Sequence, residues 1–414
     1  MSDTASLGLA AIVARVEATQ FPSVYPYVFR ILIAYIIIYF VILILSVLLI
    51  FIPLYRGTEA RKKHLWLWRR QFAPGHSYST PYYIPNGGIA FVISQIFGSI
   101  LFEVYMILAY RALKSPTFSK RSYQNFWLAI GNAPGFFGFW YSGFGALYTC
   151  IFSPSRSSQE GYRMQRYLAH PYIMNTLCIG TPILPMLIAL GWGIASIVTA
   201  RQKRSAYEEV LRDVETKIDP KAALARYSVA GNSFLAQFRW ACLFWSIAAI
   251  VSVVFYSLTL ILFLRLLKKT VDLKNGKTKL IDNDTLRTTV VAVNQNGSGG
   301  YNPVYARKLR KGYHLLMWQC GLLMIVSTWY LVDGLILMIK IDAVVDNEGW
   351  RSLSVWIVVS SAFLLALALI LQSWRMIADK DVPPQNQSQT QSQREPKLSL
   401  LRTDTGFTSP FNVV

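Results

Sequence analysis

The segment Phe29–Pro53 reads FRILIAYIIIYFVILILSVLLIFIP, with Arg30 its one charged residue. A helix rises about 1.5 Å per residue, so roughly twenty apolar residues cross the ~30 Å hydrocarbon core of a bilayer. Lipid offers a bare backbone no hydrogen bonds, which obliges such a stretch to be helical. Further stretches of similar length follow at Gly88–Ala112, Phe126–Ser153, Ile173–Thr199, Trp240–Leu264, Tyr313–Ile341 and Leu353–Ile377. The expected fold class is all-α. It comprises a polytopic seven-helix transmembrane bundle over residues 29–377, an N-terminal segment over 1–28 and a disordered C-terminal tail over 378–414.

Composition points the same way. Hydrophobic residues make up 53% of the chain and charged residues only 15%, against roughly 25% charged in an ordinary soluble domain. The net charge of +20 lies in short segments between the spans, where it meets anionic head groups. Membrane lipids are therefore the expected partner, and nucleic acid is not. Cys150, Cys178, Cys242 and Cys320 all fall in or beside apolar stretches and form no CxxC pair. They read as small buried apolar residues, with palmitoylation of Cys150 and Cys178 as the alternative. Asp3 rather than a basic cluster precedes the short apolar run Leu7–Ala14. The first span is thus expected to act as signal anchor, and residues from about Thr4 to Gln20 to form an interfacial helix.

Two spans depart from plain apolar composition. The third interleaves Gly131, Gly135, Gly138, Gly143 and Gly145 with Phe136, Phe137, Phe139, Trp140 and Tyr141. Gly131 and Gly135 form a GxxxG pair, which lets a neighbouring helix come close. In the fourth, Pro182 and Pro185 are expected to kink or unwind the helix near Thr181.

Among the loops, the first (Arg56, Arg61, Lys62, Lys63, Arg69, Arg70), the third, the fifth and the tail carry the larger share of the 41 basic residues. That bias places the N-terminus outside and the tail in the cytoplasm. Lys62–Arg70 mixes tryptophans with bases and reads as a head-group anchor or short amphipathic helix. In the fourth loop Ser205 and Glu208 have capping-box spacing, and Asp219-Pro220 reads as the start of a second helix. The pair would form a lid over the outer mouth or plain extensions of the neighbouring spans.

Ionisable residues inside spans are the best functional pointers, because each costs roughly 2.5–3.5 kcal/mol at mid-span. Glu103 in the second span and Asp333 in the sixth stand out. Each serves as a ligand-amine counter-ion, a proton or cation site or a switch contact; alternatively, each fixes packing through an interhelical hydrogen bond. Thr181, Pro182 and Pro185 join them as ligand- or ion-binding candidates. Catalysis fails on inventory: His64, His76, His170 and His314 lie in loops or at a span edge and form no short metal-ligand pair. No catalytic residue, metal or cofactor is expected.

The layout resembles a G-protein-coupled receptor in span count, orientation, long basic fifth loop and Ser/Thr-containing tail. Arg265, Lys268 and Lys269 extend span five, and Lys308, Arg310 and Lys311 precede span six. The resemblance implies that these bases engage a cytoplasmic signalling protein; positive-inside topology accounts for them equally well. The third span ends in Cys150-Ile151-Phe152-Ser153 rather than a DRY triplet, and the CWxP and NPxxY motifs are absent. Asn302-Pro303-Val304-Tyr305 fits the NPxY pattern bound by endocytic adaptors and is also a plain turn signal. The alternatives to a receptor-like protein are a transporter or channel using Glu103 and Asp333, and a non-catalytic membrane scaffold.

The orientation has a direct test in the native sequons Asn283-Asp284-Thr285 and Asn296-Gly297-Ser298 of the fifth loop. These should stay unmodified while a sequon engineered into the N-terminus is glycosylated. Glycosylation of the fifth loop would place the basic face outside the cytoplasm.

Overall fold

The first span sets its own orientation within the bundle. In a computed structural model it is helix α1 (Pro26–Tyr55), opened by a proline whose fixed φ suits the first helical turn. Tyr35, Tyr39, Ile42 and Leu49 are buried, whereas Ile37, Phe40, Ile44, Leu48 and Phe51 are exposed. An uninterrupted apolar face of that size is suited to lipid, not to water. The structure describes residues 11–18, 20–21, 24–72, 80–115, 123–152, 169–216, 218–274 and 303–378. The GlcNAc-acceptor sequons, Asn302 and the tail beyond residue 378 lie outside them.

After α1 come α2 (Thr58–His64) and an antiparallel hairpin of β1 (Trp68–Gln71) and β2 (Tyr82–Pro85). Lys62–Arg70 is therefore split between a helix and a strand instead of forming one amphipathic helix, because β2 supplies partners for the β1 backbone. Arg69 packs over the Trp66 ring at 4.2 Å. The remaining helices are α3 (Gly87–Lys114), α4 (Gln124–Gly131), α5 (Ala133–Phe152), α6 (Pro171–Glu215), α7 (Lys221–Lys274), α8 (Pro303–Ile339), α9 (Ile341–Asp346) and α10 (Glu348–Ala378). Among the described residues six helices are long and apolar enough to cross a membrane: α1, α3, α6, α7, α8 and α10. The fold is all-α apart from the hairpin, and the protein is a multi-pass membrane protein.

The third apolar stretch is two helices, α4 and α5, parted at Asn132. Gly131, Asn132 and Pro134 crowd this point, and Pro134 has no N–H to continue the helical ladder. Trp245 of α7 donates its indole N–H to the Ala129 carbonyl beside the break, at 3.2 Å. Along α5, Phe136, Trp140, Phe144, Tyr148 and Phe152 recur every four residues, so they share one face. Successive ring centroids lie 5.7, 5.5, 5.9 and 6.0 Å apart. Phe255 of α7 packs against this ladder, 4.8 Å from Trp140 and 5.0 Å from Phe144.

Small residues let α3 lie against α5 in antiparallel sense. A Cβ at Gly87 would sit 2.8 Å from the Ser142 Cα, one at Gly138 3.2 Å from the Ser94 Cβ, and one at Gly98 3.6 Å from the Pro134 Cβ. Ser142 Oγ donates to the Gly87 carbonyl at 3.0 Å. The expected GxxxG contact is not the close one: a Cβ at Gly131 would meet the Phe102 ring at an ordinary 3.6 Å, and Gly135 faces open space. Both lie beside the break at Asn132.

Two ends of the bundle can be told apart. At the strand end, Tyr82 donates its hydroxyl to the Ala169 carbonyl (3.0 Å), and Asn175 of α6 accepts from the Tyr83 N–H and donates to the Pro81 carbonyl, both at 2.9 Å. The opposite, extension end is built on α6 and α7. At 45 and 54 residues they run about 68 and 81 Å, far beyond a ~30 Å core.

There the projecting parts of α6 and α7 pair through Ala206, Tyr207, Val210, Ala223 and Tyr227, and Val16 of the helical residues 11–18 packs on them. The apolar side of this N-terminal helix meets that cluster. Arg226 forks onto Glu209, its Nε 3.0 Å from Oε2. Ser205 starts no helix: α6 runs through it from Pro171, since Arg204, Lys203 and their neighbours continue the helical ladder from the span. Asp219 does accept from the Lys221 N–H at the start of α7 (3.2 Å), as its position before Pro220 suggests.

Gly87→Ala should cost about 1–3 kcal/mol through overpacking against the Ser142 backbone, whereas Gly135→Ala, with open space, should be neutral or mildly stabilising. Thermal unfolding of both variants in one detergent checks this.

Candidate functional site

Where α4 gives way to α5 the bundle does not close, and a cavity of about 300 Å³ remains. Its walls come from α1, α3, α4, α5, α6, α7, α8 and α10. On α7 the lining runs from Phe234 to Val253, and on α8 from Val326 to Leu337, which is the half of the bundle next to the extension end. On the strand-end side the aromatic ladder of Trp140, Phe144 and Tyr148 with Phe255 contributes nothing to the lining and fills the space beneath.

Asp333 lines this cavity and is 8% exposed. Among the described residues of the lining it is the one Asp or Glu, and none of them is Lys, Arg or His. Around it stand phenols from three helices, with Tyr35, Tyr105 and Tyr330 in Coulombic reach of the carboxyl, as is the Cys242 thiol. Tyr39 and Tyr330 share a 2.8 Å hydrogen bond between hydroxyls, and the Tyr35 ring lies 5.0 Å from that of Tyr39. Close approach of α8 to α7 seats Asp333: a Cβ at the adjacent Gly334 would sit 2.7 Å from Ser246 Oγ. At the extension-end rim, Gln237 of α7 and Thr199 of α6 are hydrogen-bonded at 2.7 Å.

The other candidate residues fall elsewhere. Glu103 is outside the lining, one residue past Phe102, whose ring stacks on Tyr39 at 5.2 Å. One Glu103 carboxyl oxygen is buried without a hydrogen-bond partner among the described residues. Thr181, Pro182 and Pro185 also lie outside the lining. The helix neither stops nor unwinds there, since α6 is continuous over Pro171–Glu215. The prolines withdraw backbone donors from that turn, and the Trp140 indole supplies one close by, donating to the Leu177 carbonyl at 3.2 Å. Both prolines are buried while Ile183 and Leu184 face outward.

Of the basic candidates, Arg265 and Lys268 are exposed near the strand-end terminus of α7. Lys269, Lys308, Arg310 and Lys311 are helical, with side chains outside the described set. Sequence reasoning reaches Asp333 through its charge. It does not reach Tyr35, Tyr39, Tyr105 or Tyr330, although Tyr35 and Tyr39, four residues apart amid isoleucines, mark the inward face of α1.

Among the described residues no group of three His, Cys, Asp or Glu side chains is placed to hold a metal ion. The arrangement suits noncovalent binding: one carboxyl, several phenols and aromatic walls around a small volume. Replacing Tyr39 and Tyr330 by Phe, singly and together, should give a coupling energy of about 0.5–1.5 kcal/mol, the net worth of one hydrogen bond, in a double-mutant unfolding cycle. No protein-family model, curated protein or solved structure matches this chain.

Proposed function

We propose that the protein is a seven-pass, receptor-like membrane protein that admits a small ligand to the Asp333 cavity from the extension end. The seventh pass is the α4–α5 pair, and contacts at the two ends support it. Tyr82 and Ala169 meet at one end (3.0 Å), and Tyr123 and Arg201 meet at the other (3.2 Å). Since α3 joins the first end to the second, α4–α5 must return the chain to the first. Its low hydropathy follows from glycines and ring polar atoms that face protein rather than lipid.

What supports the receptor reading is the packed aromatic cluster on one side of the cavity. Every pass lines it, yet the aromatic ladder fills the bundle on the strand-end side. A receptor needs a site open to one compartment and a packed region that relays its occupancy; a carrier needs a route to both. By the basic-residue bias the extension end is outside. Ligand binding would then repack α7 and α8 at Ser246 and Gly334 and move the strand-end termini, where Arg265 and Lys268 are presented to a cytoplasmic signalling protein.

Cys242 gives a native reporter, because it lines the cavity while Cys150, Cys178 and Cys320 are buried. Membrane-impermeant methanethiosulfonates, one cationic and one anionic, should label wild type and not Cys242→Ala when applied at the extension-end face of oriented vesicles. Labelling from the opposite face, or from both, would sink the receptor reading and favour a transporter.

A further inference from the structure

The helix faces that line the cavity run on past its rim. On α6, Trp192 and Ser196 face the cavity, and Thr199 is bonded to Gln237 at the extension-end rim. Positions 192, 196, 199 and 203 succeed one another at four- and three-residue steps, so Lys203 stands on the same face of α6, one turn further out. On α7, Phe234, Phe238, Ala241 and Trp245 line the cavity, and Tyr227 continues that face one heptad earlier. The Lys203 ammonium spans the two helices here, 5.7 Å from the centroid of the Tyr227 ring and 5.8 Å from that of Phe234. Phe234 thus belongs both to the cavity wall and to the seat of this cation.

Lys203 is half-buried and lies where the apolar run of α6 gives way to Arg201-Gln202-Lys203-Arg204. Its neighbours are engaged: Arg201 donates to the Tyr123 hydroxyl at 3.2 Å and Arg204 to Glu208 at 2.9 Å. Lys203 takes part in none of the ion pairs among the described residues. A partly desolvated ammonium favours an anion beside it, and its N–H groups can donate to one in charge-assisted hydrogen bonds.

Inward of Lys203, Phe234, Phe238, Ala241 and Leu128 offer an apolar wall. The volume of about 300 Å³ stands at the lower end of the roughly 300–1,000 Å³ typical of small-molecule pockets, which suits one short chain. Gly334, next to Asp333, meets Ser246, and Ser246 lies about 18 Å along α7 from Phe234 at 1.5 Å per residue. A charged head at Lys203 therefore stays clear of the Asp333 carboxyl. Lys203 also stands just past the apolar span, at the level where a membrane-borne amphiphile holds its head group.

We propose that the extension-end mouth binds a single-chain amphiphilic anion, its carboxylate or phosphate head paired with Lys203 and its apolar chain passing Phe234 into the cavity. This rests on the cavity being a ligand site, and deepens that reading by naming the ligand's chemical class. A cationic head would meet Lys203 as a like charge, and a neutral one would leave the ammonium unmatched.

The test uses the purified full chain in phosphatidylcholine nanodiscs, with radiolabelled octanoate as probe and the signal of empty nanodiscs subtracted. Octanoate should bind saturably. Octanol and octyltrimethylammonium, of equal chain length, should compete at least tenfold more weakly than unlabelled octanoate. Octyl phosphate as a fourth competitor tells the two heads apart: stronger competition than octanoate assigns a phosphate, weaker a carboxylate, and either upholds an anionic head. Lys203→Gln should lose at least tenfold in octanoate affinity, while Lys203→Arg, which keeps the charge, should retain most of it. Circular dichroism and the unfolding temperature establish that each variant is folded; if Lys203→Gln is not, the competitor series on wild type decides alone. No saturable octanoate binding, equal competition by octanol or octyltrimethylammonium, or unchanged affinity in folded Lys203→Gln would each overturn the proposal. The receptor reading fails separately, on which membrane face reaches Cys242 in protein without added amphiphile.

Discussion

The aromatic ladder on α5 is the contact on which the rest of the bundle depends. Five rings at four-residue spacing stack along one helix face and meet Phe255 from α7. In lipid no hydrophobic force draws helices together, so dispersion, small residues and interhelical hydrogen bonds do the work. All three converge on α5. Its rings face α7 and α6, Gly138 and Ser142 admit α3, and the Trp140 indole bonds to α6. Trp140, Phe144 and Tyr148 fill the bundle on one side, while Gly135, Phe136 and Phe139, nearer the break at Asn132, line the cavity. One helix thus sets both the solid half and the hollow half.

The cavity shares its walls with the projecting helices. The same α6 and α7 that bear Trp192, Ser196, Gln237 and Cys242 at its wall continue beyond the bilayer as paired rods, with Val16 and its helical neighbours packed on them. The Arg239–Asp342 pair, 2.9 Å apart, links the root of α7 to the short helix α9. As an exposed pair it contributes little to stability.

Much of the fold is legible in the sequence, because hydropathy over twenty residues is a strong signal that lipid enforces. Phe29–Pro53 and Gly88–Ala112 each match a helix to within a few residues. What hydropathy does not encode is which side of a helix faces inward. Glu103 and Asp333 look alike in sequence, and only the rotation of α3 and α8 puts one outside the cavity lining and the other within it. Local motifs mislead where tertiary context overrides them. Ser205 and Glu208 have the spacing of a helix start but lie inside α6. The signal left unread was periodicity, since the four-residue repeat of Phe136, Trp140, Phe144, Tyr148 and Phe152 is visible in the letters alone.

The central claim is that the broken helix α4–α5 crosses the membrane and completes the wall of the cavity. The most direct measurement is the sidedness of two exposed positions that flank it, Lys114 at the end of α3 and Ala169 just before α6. Single cysteines there, in a Cys242→Ala background, would be treated with an impermeant maleimide in sealed, oriented vesicles. Labelling of Lys114→Cys and Ala169→Cys from opposite faces is the result the account requires. Labelling of both from the same face would contradict it, leaving α4–α5 as a re-entrant element and the cavity with a different floor.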